Sequence, residues 1–200
     1  EGTPVVTDED GNDVTDQFLV KTQPGTLTIS QRQVTLTSAS AERAYDGTAL
    51  TAGEVSVSGD GFAEGEGATF EVTGSQTLVG SSKNYFGYAL SAATKAGNYA
   101  ITKSEGTLTV TNRAEDARFE VTVEAKSGTA PYDGQEHSVS GLVSDAFTIN
   151  GVEYTVSGLT AGAAGTDAGK YTAAVEGTPV VTDEDGNDVT DQFLVKTQPG

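Results

Sequence analysis

Hydrophobic and polar residues alternate with a period of two along most of the chain. Phe119, Val121 and Val123 alternate with polar residues, and the same pattern recurs at 26–29, 70–72 and 154–156. Successive side chains of a β-strand point to opposite faces, so this pattern predicts strands with one buried and one solvated face. No segment has a convincing helical pattern. The Ala- and Gly-rich stretch 161–170 is predicted to be a loop, because its glycines disfavour a helix.

Turn signals separate the alternating runs and make the strands short. Short strands at this spacing are typical of a β-sandwich or a small barrel. The predicted turns are Asp46-Gly47, Gly59-Asp60-Gly61, Asp133-Gly134, Asn150-Gly151 and Asp185-Gly186. The expected fold is therefore all-β, with small sandwich modules of an Ig-like or β-grasp-like kind arranged as an extended rod.

The chain contains an internal repeat. Residues 1–25 recur letter for letter as residues 176–200, a displacement of 175 residues. The period divides further, because the segment from Val34 to Tyr45-Asp46-Gly47 matches a segment ending in Tyr132-Asp133-Gly134, 87 residues later. Self-similarity at a fixed period is the sequence signature of a repeat architecture.

This register predicts three parts. Residues 1–30 are the C-terminal part of a preceding B module, 31–112 form module A, and 113–200 form module B without its last strand. The strand that module B lacks should read Thr-Leu-Thr-Ile, which is the sequence of residues 26–29. Short polar junctions between the modules favour a semi-rigid array in which each module packs on its neighbours.

Composition narrows the range of functions. The formal net charge is −18, which disfavours nucleic acid and anionic membranes as partners. The chain has no Cys, which excludes disulfides, thiolate metal sites and cysteine nucleophiles. It also has no Met, so an internal piece or a processed product is expected. A single histidine, His137, leaves no nucleophile–base pair, and we expect no enzymatic activity.

Two motifs point to a family. The Tyr-Asp-Gly triplet after a first strand, and a closing strand of the form aromatic-x-(Ile/Val) followed by Gly-Thr-Leu-Thr, resemble the MBG/YDG-type repeats of bacterial surface adhesins. Val189-Thr190-Asp191-Gln192-Phe193, ahead of the closing strand, strengthens the resemblance. The resemblance implies secretion, tandem arrays and an extracellular location on a bacterial, Gram-positive cell wall. It also implies that such modules serve mainly as a stalk.

The densest acidic cluster raises a calcium hypothesis. Asp183, Asp185 and Asn187, together with their copy between Asp8 and Asp13, place oxygen ligands at alternate positions of a loop. The pattern does not fit an EF-hand loop, because the glycine is misplaced and no bidentate Glu follows. The alternative is a hairpin turn with solvated acids, for which no cofactor is needed.

The two Tyr-Asp-Gly triplets are interpreted as structural. At Tyr45-Asp46-Gly47 and Tyr132-Asp133-Gly134, Asp-Gly should form the turn while the tyrosine anchors it to the core, with its hydroxyl at the rim. His137 is expected on an exposed strand.

A self-formed Lys–Asn bond is a further hypothesis for modules of this kind. The lysines that qualify are Lys103 and Lys126, and the asparagines are Asn84, Asn98 and Asn150. No spacing in the sequence requires a particular pair.

Three functions remain open from the sequence. The leading hypothesis is a non-enzymatic spacer that projects an adhesive region from the cell and contacts neighbouring repeats of the same protein. A second is that the modules themselves bind a host glycan or protein through Tyr85, Phe86 and Tyr88, although alternation also predicts a strand with core-facing aromatics there. A third is polymerisation into a filament, in which the N-terminal segment of one chain completes module B of the next.

Overall fold

A computed structural model describes residues 2–200, and this part of the chain is nearly all β. It contains fourteen strands and four short 3-10 turns, without an α-helix among the residues described. These residues include no helix that is long and apolar enough to cross a membrane. The chain divides into two compact units, one ending at Gln31 and one comprising Arg32–Gly200, and each is described by itself.

The larger unit begins with eight strands, which we call the first strand set. They are β1 (Arg32–Ser38), β2 (Ala41–Ala44), β3 (Val55–Gly59), β4 (Ala68–Val72), β5 (Gly80–Asn84), β6 (Phe86–Leu90), β7 (Tyr99–Ser104) and β8 (Gly106–Thr111). They form two three-stranded sheets, in the orders β3-β1-β7 and β2-β8-β5, and a separate pair, β4-β6.

The sequence predicts one closing strand from the aromatic residue Tyr99 through Gly-Thr-Leu-Thr. The structure divides this segment into two strands, β7 and β8, so that prediction is wrong. β7 lies parallel to β1, and β8 lies parallel to β2 in the other sheet. The change of sheet occurs at Gly106, where a Cβ atom would lie 2.5 Å from the carbonyl oxygens of Ser38 and Ala39. The β1–β2 connection and the β7–β8 connection therefore pass from one sheet to the other side by side. Their contact is so close that only glycine fits at position 106.

The second strand set follows in the same unit. It comprises β9 (Phe119–Glu124), β10 (His137–Ser140), β11 (Ala146–Ile149), β12 (Val152–Gly165), β13 (Ala174–Asp183) and β14 (Phe193–Gln198). β9 and β14 pair in parallel, starting at Phe119 and Phe193, as β1 and β7 do from Arg32 and Tyr99. The other four strands form an antiparallel sheet in which β12 pairs with β10, β11 and β13.

β12 confirms one prediction from the sequence and corrects another. The turn at Asn150-Gly151 joins β11 to β12, with Ile149 opposite Val152. Residues 161–165, predicted as a loop, instead extend β12 beside β10 and β13. The small residues suit this crowded central position, since a Cβ on Gly162 would already lie 3.2 Å from the carbonyl oxygen of Val139.

The smaller unit, described from residue 2 to Gln31, contains no strand longer than an isolated bridge between Thr7 and Asp13. A 3-10 turn at Thr15–Gln17 follows this bridge. The strand predicted at 26–29 is not formed, and the side chains of Leu27 and Ile29 are each 86% exposed.

Candidate functional site

The two strand sets of the larger unit share one hydrophobic core. Its buried residues come from both sets and form a single cluster: Tyr45, Leu50, Leu108 and Val110 from the first, and Val121, Val123, Tyr154, Val156, Val181, Val189 and Phe193 from the second. Every strand pairing joins strands of the same set, so the contacts between the sets are made by side chains and not by strand pairing. We call this region the junction.

Two tyrosines meet at the centre of the junction. Tyr45 and Tyr154 are each 1% exposed, and their hydroxyl oxygens are 3.3 Å apart. Burial raises the pKa of both phenols, so both are neutral at physiological pH. The pair supplies large apolar area, and the hydrogen bond between the hydroxyls satisfies polar groups that would be costly to bury alone.

On the second strand set, Tyr154 belongs to a cluster of four aromatic rings. The ring of Phe193 lies 4.9 Å from Tyr154, 5.4 Å from Phe147 and 5.6 Å from Phe119, measured between ring centroids. The tilted and edge-on orientations are those that aromatic quadrupoles favour. Phe193 lies at the start of β14, and its parallel partner in β9 is Phe119.

The turn after Tyr45 is fitted closely to the second strand set. Gly47 has φ +85°, and a Cβ there would lie 2.1 Å from the Tyr154 hydroxyl oxygen. The Asp46 carboxylate accepts hydrogen bonds from the Thr48 backbone and hydroxyl, both at 2.9 Å. The Asn150 side chain donates to the Asp46 carbonyl oxygen at 3.1 Å. The glycine is therefore required by the close approach as well as by the backbone conformation.

The connection between the strand sets is also fixed in place. Arg113 donates to the Tyr45 carbonyl oxygen at 2.9 Å, and its guanidinium lies 4.0 Å from the centroid of Phe119. Gln192, which is 3% exposed, accepts from the Arg113 backbone at 3.0 Å and donates to Asn112 at 2.6 Å. Sequence reasoning gave Arg113 and Gln192 no such role, because their partners lie about 70 to 80 positions away in the chain.

The second Tyr-Asp-Gly triplet adopts the same kind of turn but has a different environment. Tyr132 is 68% exposed, which departs from the expected anchoring to a core. Asp133 accepts from the Gln135 backbone at 2.9 Å and contacts the His137 ring at 3.0 Å. These contacts hold the pKa of the Asp133 carboxyl below its usual value, the backbone bond contributing most. The motif alone therefore does not bury its tyrosine.

The acidic loop is held by its own hydrogen bonds. The Asp183 carboxylate accepts from the backbone of Asp185 at 3.1 Å, and from both the backbone and the side-chain amide of Asn187. The copy at Asp8 and Asn12 makes the same bonds, and they lower the pKa of Asp8. Between residues 2 and 200, no three acidic or histidine side chains converge in an arrangement that could hold a metal ion. The geometry is that of a hydrogen-bonded turn, and calcium binding stays a prediction.

Three of the five residues of the hypothetical Lys–Asn bond have other partners in this structure. Lys103 donates to the Phe86 carbonyl oxygen at 2.5 Å and lies 3.5 Å from the Glu105 carboxylate. Asn84, which is fully buried, donates its amide to the carbonyl oxygens of Ala39 and Ala52. The Asn150 amide binds Asp46, as described above.

The aromatic triplet of the glycan hypothesis is divided between core and surface. Phe86 is 4% exposed, whereas Tyr85 and Tyr88 are 57% and 39% exposed. Phe86 packs in the core of the first strand set with Val34, Leu36 and Tyr99. Ligand binding by the two exposed tyrosines stays a prediction.

Comparison with known proteins adds no assignment: no family model, curated protein or solved structure matches this chain.

Proposed function

We propose that this chain is a non-enzymatic structural repeat, a spacer of a bacterial surface adhesin or fibre that projects an adhesive region from the cell. In this proposal the first and second strand sets are two tandem β-sandwich modules, A and B. The proposed location is extracellular, on the cell wall. The MBG/YDG-type sequence motifs support the location, and the junction supports the mechanical role.

The observation that carries the proposal is the core shared across the junction. Neighbouring domains move relative to one another unless their interface is large and hydrophobic. Here the Tyr45–Tyr154 contact is fully buried, and the connecting Arg113 is held on both sides. A spacer made of such pairs would resist bending between A and B. This stiffness is needed to hold an adhesive region at a distance from the cell surface.

The 175-residue sequence period supports extension of the same arrangement into an array. Residues 176–200 reproduce residues 1–25, so the sequence contains one complete 175-residue period and the first 25 residues of the next. In a straight array each added period adds a constant length. A compact assembly of the same periods would instead grow slowly in size.

Small-angle X-ray scattering on arrays of one, two and three periods tests this proposal. For a compact chain, doubling the number of residues raises the radius of gyration about 1.3-fold. For the proposed spacer, the radius of gyration should nearly double from one period to two, and the maximum dimension should rise linearly with period number. Growth at the compact rate would contradict the spacer function.

A further inference from the structure

Two segments of the first strand set run side by side and in the same direction through both of its three-stranded sheets. One consists of β1 and β2, and the other of β7 and β8. In both sheets a residue pairs with the one 67 positions later, from Arg32 opposite Tyr99 to Ala44 opposite Thr111. The Tyr45 backbone then donates to the Thr111 carbonyl oxygen at 2.9 Å. We call these two paired segments the parallel ladder.

The parallel ladder is not interrupted where it passes from one sheet to the other. At this crossing two serine side chains replace the backbone pairing. The Gly106 backbone donates to the Ser38 hydroxyl at 3.0 Å, and the Thr107 backbone donates to the Ser40 hydroxyl at 2.9 Å. The six residue pairs of the first sheet and the four of the second are therefore parts of one continuous contact.

The first and the last strand of this set are both central strands. β1 lies between β3 and β7, and β8 lies between β2 and β5. Their inward-facing side chains are almost completely buried: Val34 and Leu36 in β1 are 1% and 0% exposed, and Leu108 and Val110 in β8 are 0% and 2% exposed. Neither strand can slide along its neighbours without moving apolar side chains out of the core.

The direction of the chain decides how tension would act on the parallel ladder. The chain enters it at Arg32, the start of β1, and leaves it at Thr111, the end of β8. Because the two segments are parallel, entry and exit lie at opposite ends of the ladder. Tension along the chain would therefore pull the two segments past each other, in shear. In an antiparallel pair whose free ends lie together, the same tension would peel the strands apart one residue pair at a time.

Shear and peeling differ in the distance over which the force acts. Sliding two strands past each other breaks their hydrogen bonds together, within one residue spacing of about 3.3 Å. Peeling releases one residue of each strand for every pair that breaks, so the force acts over about twice that distance. Force raises the unfolding rate exponentially with this distance, and the unfolding rate governs forced unfolding. The same pair should therefore withstand about twofold more force in shear than in peeling.

The second strand set has a pair of the same kind. β14 is parallel to β9, from Phe193 opposite Phe119 to Gln198 opposite Glu124. The Ala125 backbone then donates to the Gln198 carbonyl oxygen at 3.0 Å. β9 is the first strand of this set and β14 follows all its others, so tension along the chain would also load this pair in shear.

We propose that the parallel ladder and the β9–β14 pair are force-bearing clamps, which keep each strand set folded while the chain is under tension. The proposal rests on the spacer function, because a spacer between a cell and an attached surface is pulled from both ends. It adds a mechanical activity to that function. Resistance to bending comes from the junction, whereas resistance to unfolding by extension comes from the parallel pairs within each set.

Single-molecule force spectroscopy on the full chain tests the clamp of the first strand set. The chain has no Cys, so two introduced cysteines define the points of attachment. Gln33→Cys with Ser104→Cys holds β1 near its start and β7 at its end, which loads the pair in shear. Gln33→Cys with Lys95→Cys holds both strands at their starts and peels them apart. All three side chains are exposed, so neither variant alters the core.

The expected result is a difference that depends only on direction. At the same pulling rate, the unfolding force should be at least about twofold higher for the 33/104 variant than for the 33/95 variant. The two variants share one attachment point and act on the same pair of strands, so each is the matched control of the other.

The second strand set allows an independent measurement. Glu120→Cys with Gln198→Cys loads β9 and β14 in shear, and Glu120→Cys with Asp191→Cys peels them apart. These three side chains are also exposed, and the ion pair of Glu120 with Lys196 is lost in both variants alike. The force should again be higher in shear, by about twofold or more.

Equal forces in the two directions for either strand set, or a higher force on peeling, would overturn the proposal. The scattering of one, two and three periods measures the shape of the array without applying force. Compact growth with a directional unfolding force would sink the spacer function alone, and linear growth with equal forces would sink the clamp alone.

Discussion

Replacing Tyr45 by Ala should lower the free energy of unfolding of the larger unit by about 3–5 kcal/mol, the usual cost of truncating a buried aromatic side chain. The side chain is 1% exposed and packs against residues of both strand sets. Its removal leaves a cavity at the junction and leaves the Tyr154 hydroxyl without the partner at 3.3 Å. Urea unfolding followed by circular dichroism measures the loss.

The chain provides its own control for this change. Tyr132→Ala alters the same motif at a residue that is 68% exposed, and it should change the stability by no more than about 0.5 kcal/mol. Tyr45→Phe, which keeps the ring and removes only the hydroxyl, should cost about 1 kcal/mol. Similar losses for Tyr45→Ala and Tyr132→Ala would mean that the motif stabilises its turn locally and that the junction contributes little.

Replacing Phe193 by Ala should also lower the free energy of unfolding of the larger unit by about 3–5 kcal/mol. Phe193 is 4% exposed, and three aromatic rings lie within 5.6 Å of its own, centroid to centroid. Its loss would loosen both the β9–β14 pair and the aromatic group around Tyr154. Thermal and urea unfolding of the variant would measure this cost.

The duplicated ends give this prediction an unusually close control. Within the repeat, Phe18 has the same 17 residues before it and the same seven after it as Phe193, yet it is 58% exposed in the smaller unit. Phe18→Ala should therefore be nearly neutral, within about 0.5 kcal/mol. If Phe18→Ala lowered the free energy of unfolding as much as Phe193→Ala, this would contradict the conclusion that only Phe193 is part of a hydrophobic core.

The same duplication separates what the sequence determines locally from what depends on distant partners. The acidic loop forms equally in both copies, with Asp8 bonded to Asn12 and Asp183 to Asn187. The 3-10 turn also recurs, at Thr15–Gln17 and Thr190–Gln192. Interactions within a few residues suffice for these features, so turn chemistry can predict them.

Strands and burial behave differently, because they require partners from elsewhere in the chain. β14 forms beside β9, whereas the identical residues after Phe18 form no strand. Alternation predicts several strands of the larger unit, such as those at 70–72, 119–123 and 154–156, but it carries no information on pairing. It therefore indicated neither the parallel pairs β1–β7 and β9–β14 nor the change of sheet at Gly106.

The junction could be predicted only in part for the same reason. The sequence predicts a structural role for the Tyr-Asp-Gly motif, and local hydrogen bonds from Asp46 and Asp133 account for its turn. Nothing within the motif distinguishes Tyr45 from Tyr132, since the difference lies in whether another strand set packs on the tyrosine. The partners Tyr154 and Phe193 are about 110 and 150 positions away, beyond the reach of pattern or propensity.

The central claim is that the junction makes the two strand sets a single cooperative structure, and scanning calorimetry of the intact chain tests it most directly. At about 0.7 kcal/mol per residue near 60 °C, residues 32–200 should unfold in one transition with a van't Hoff enthalpy of about 120 kcal/mol, equal to the calorimetric enthalpy. Two transitions in the wild-type chain, each with a van't Hoff enthalpy near 60 kcal/mol, would show that the strand sets unfold independently and would contradict the account.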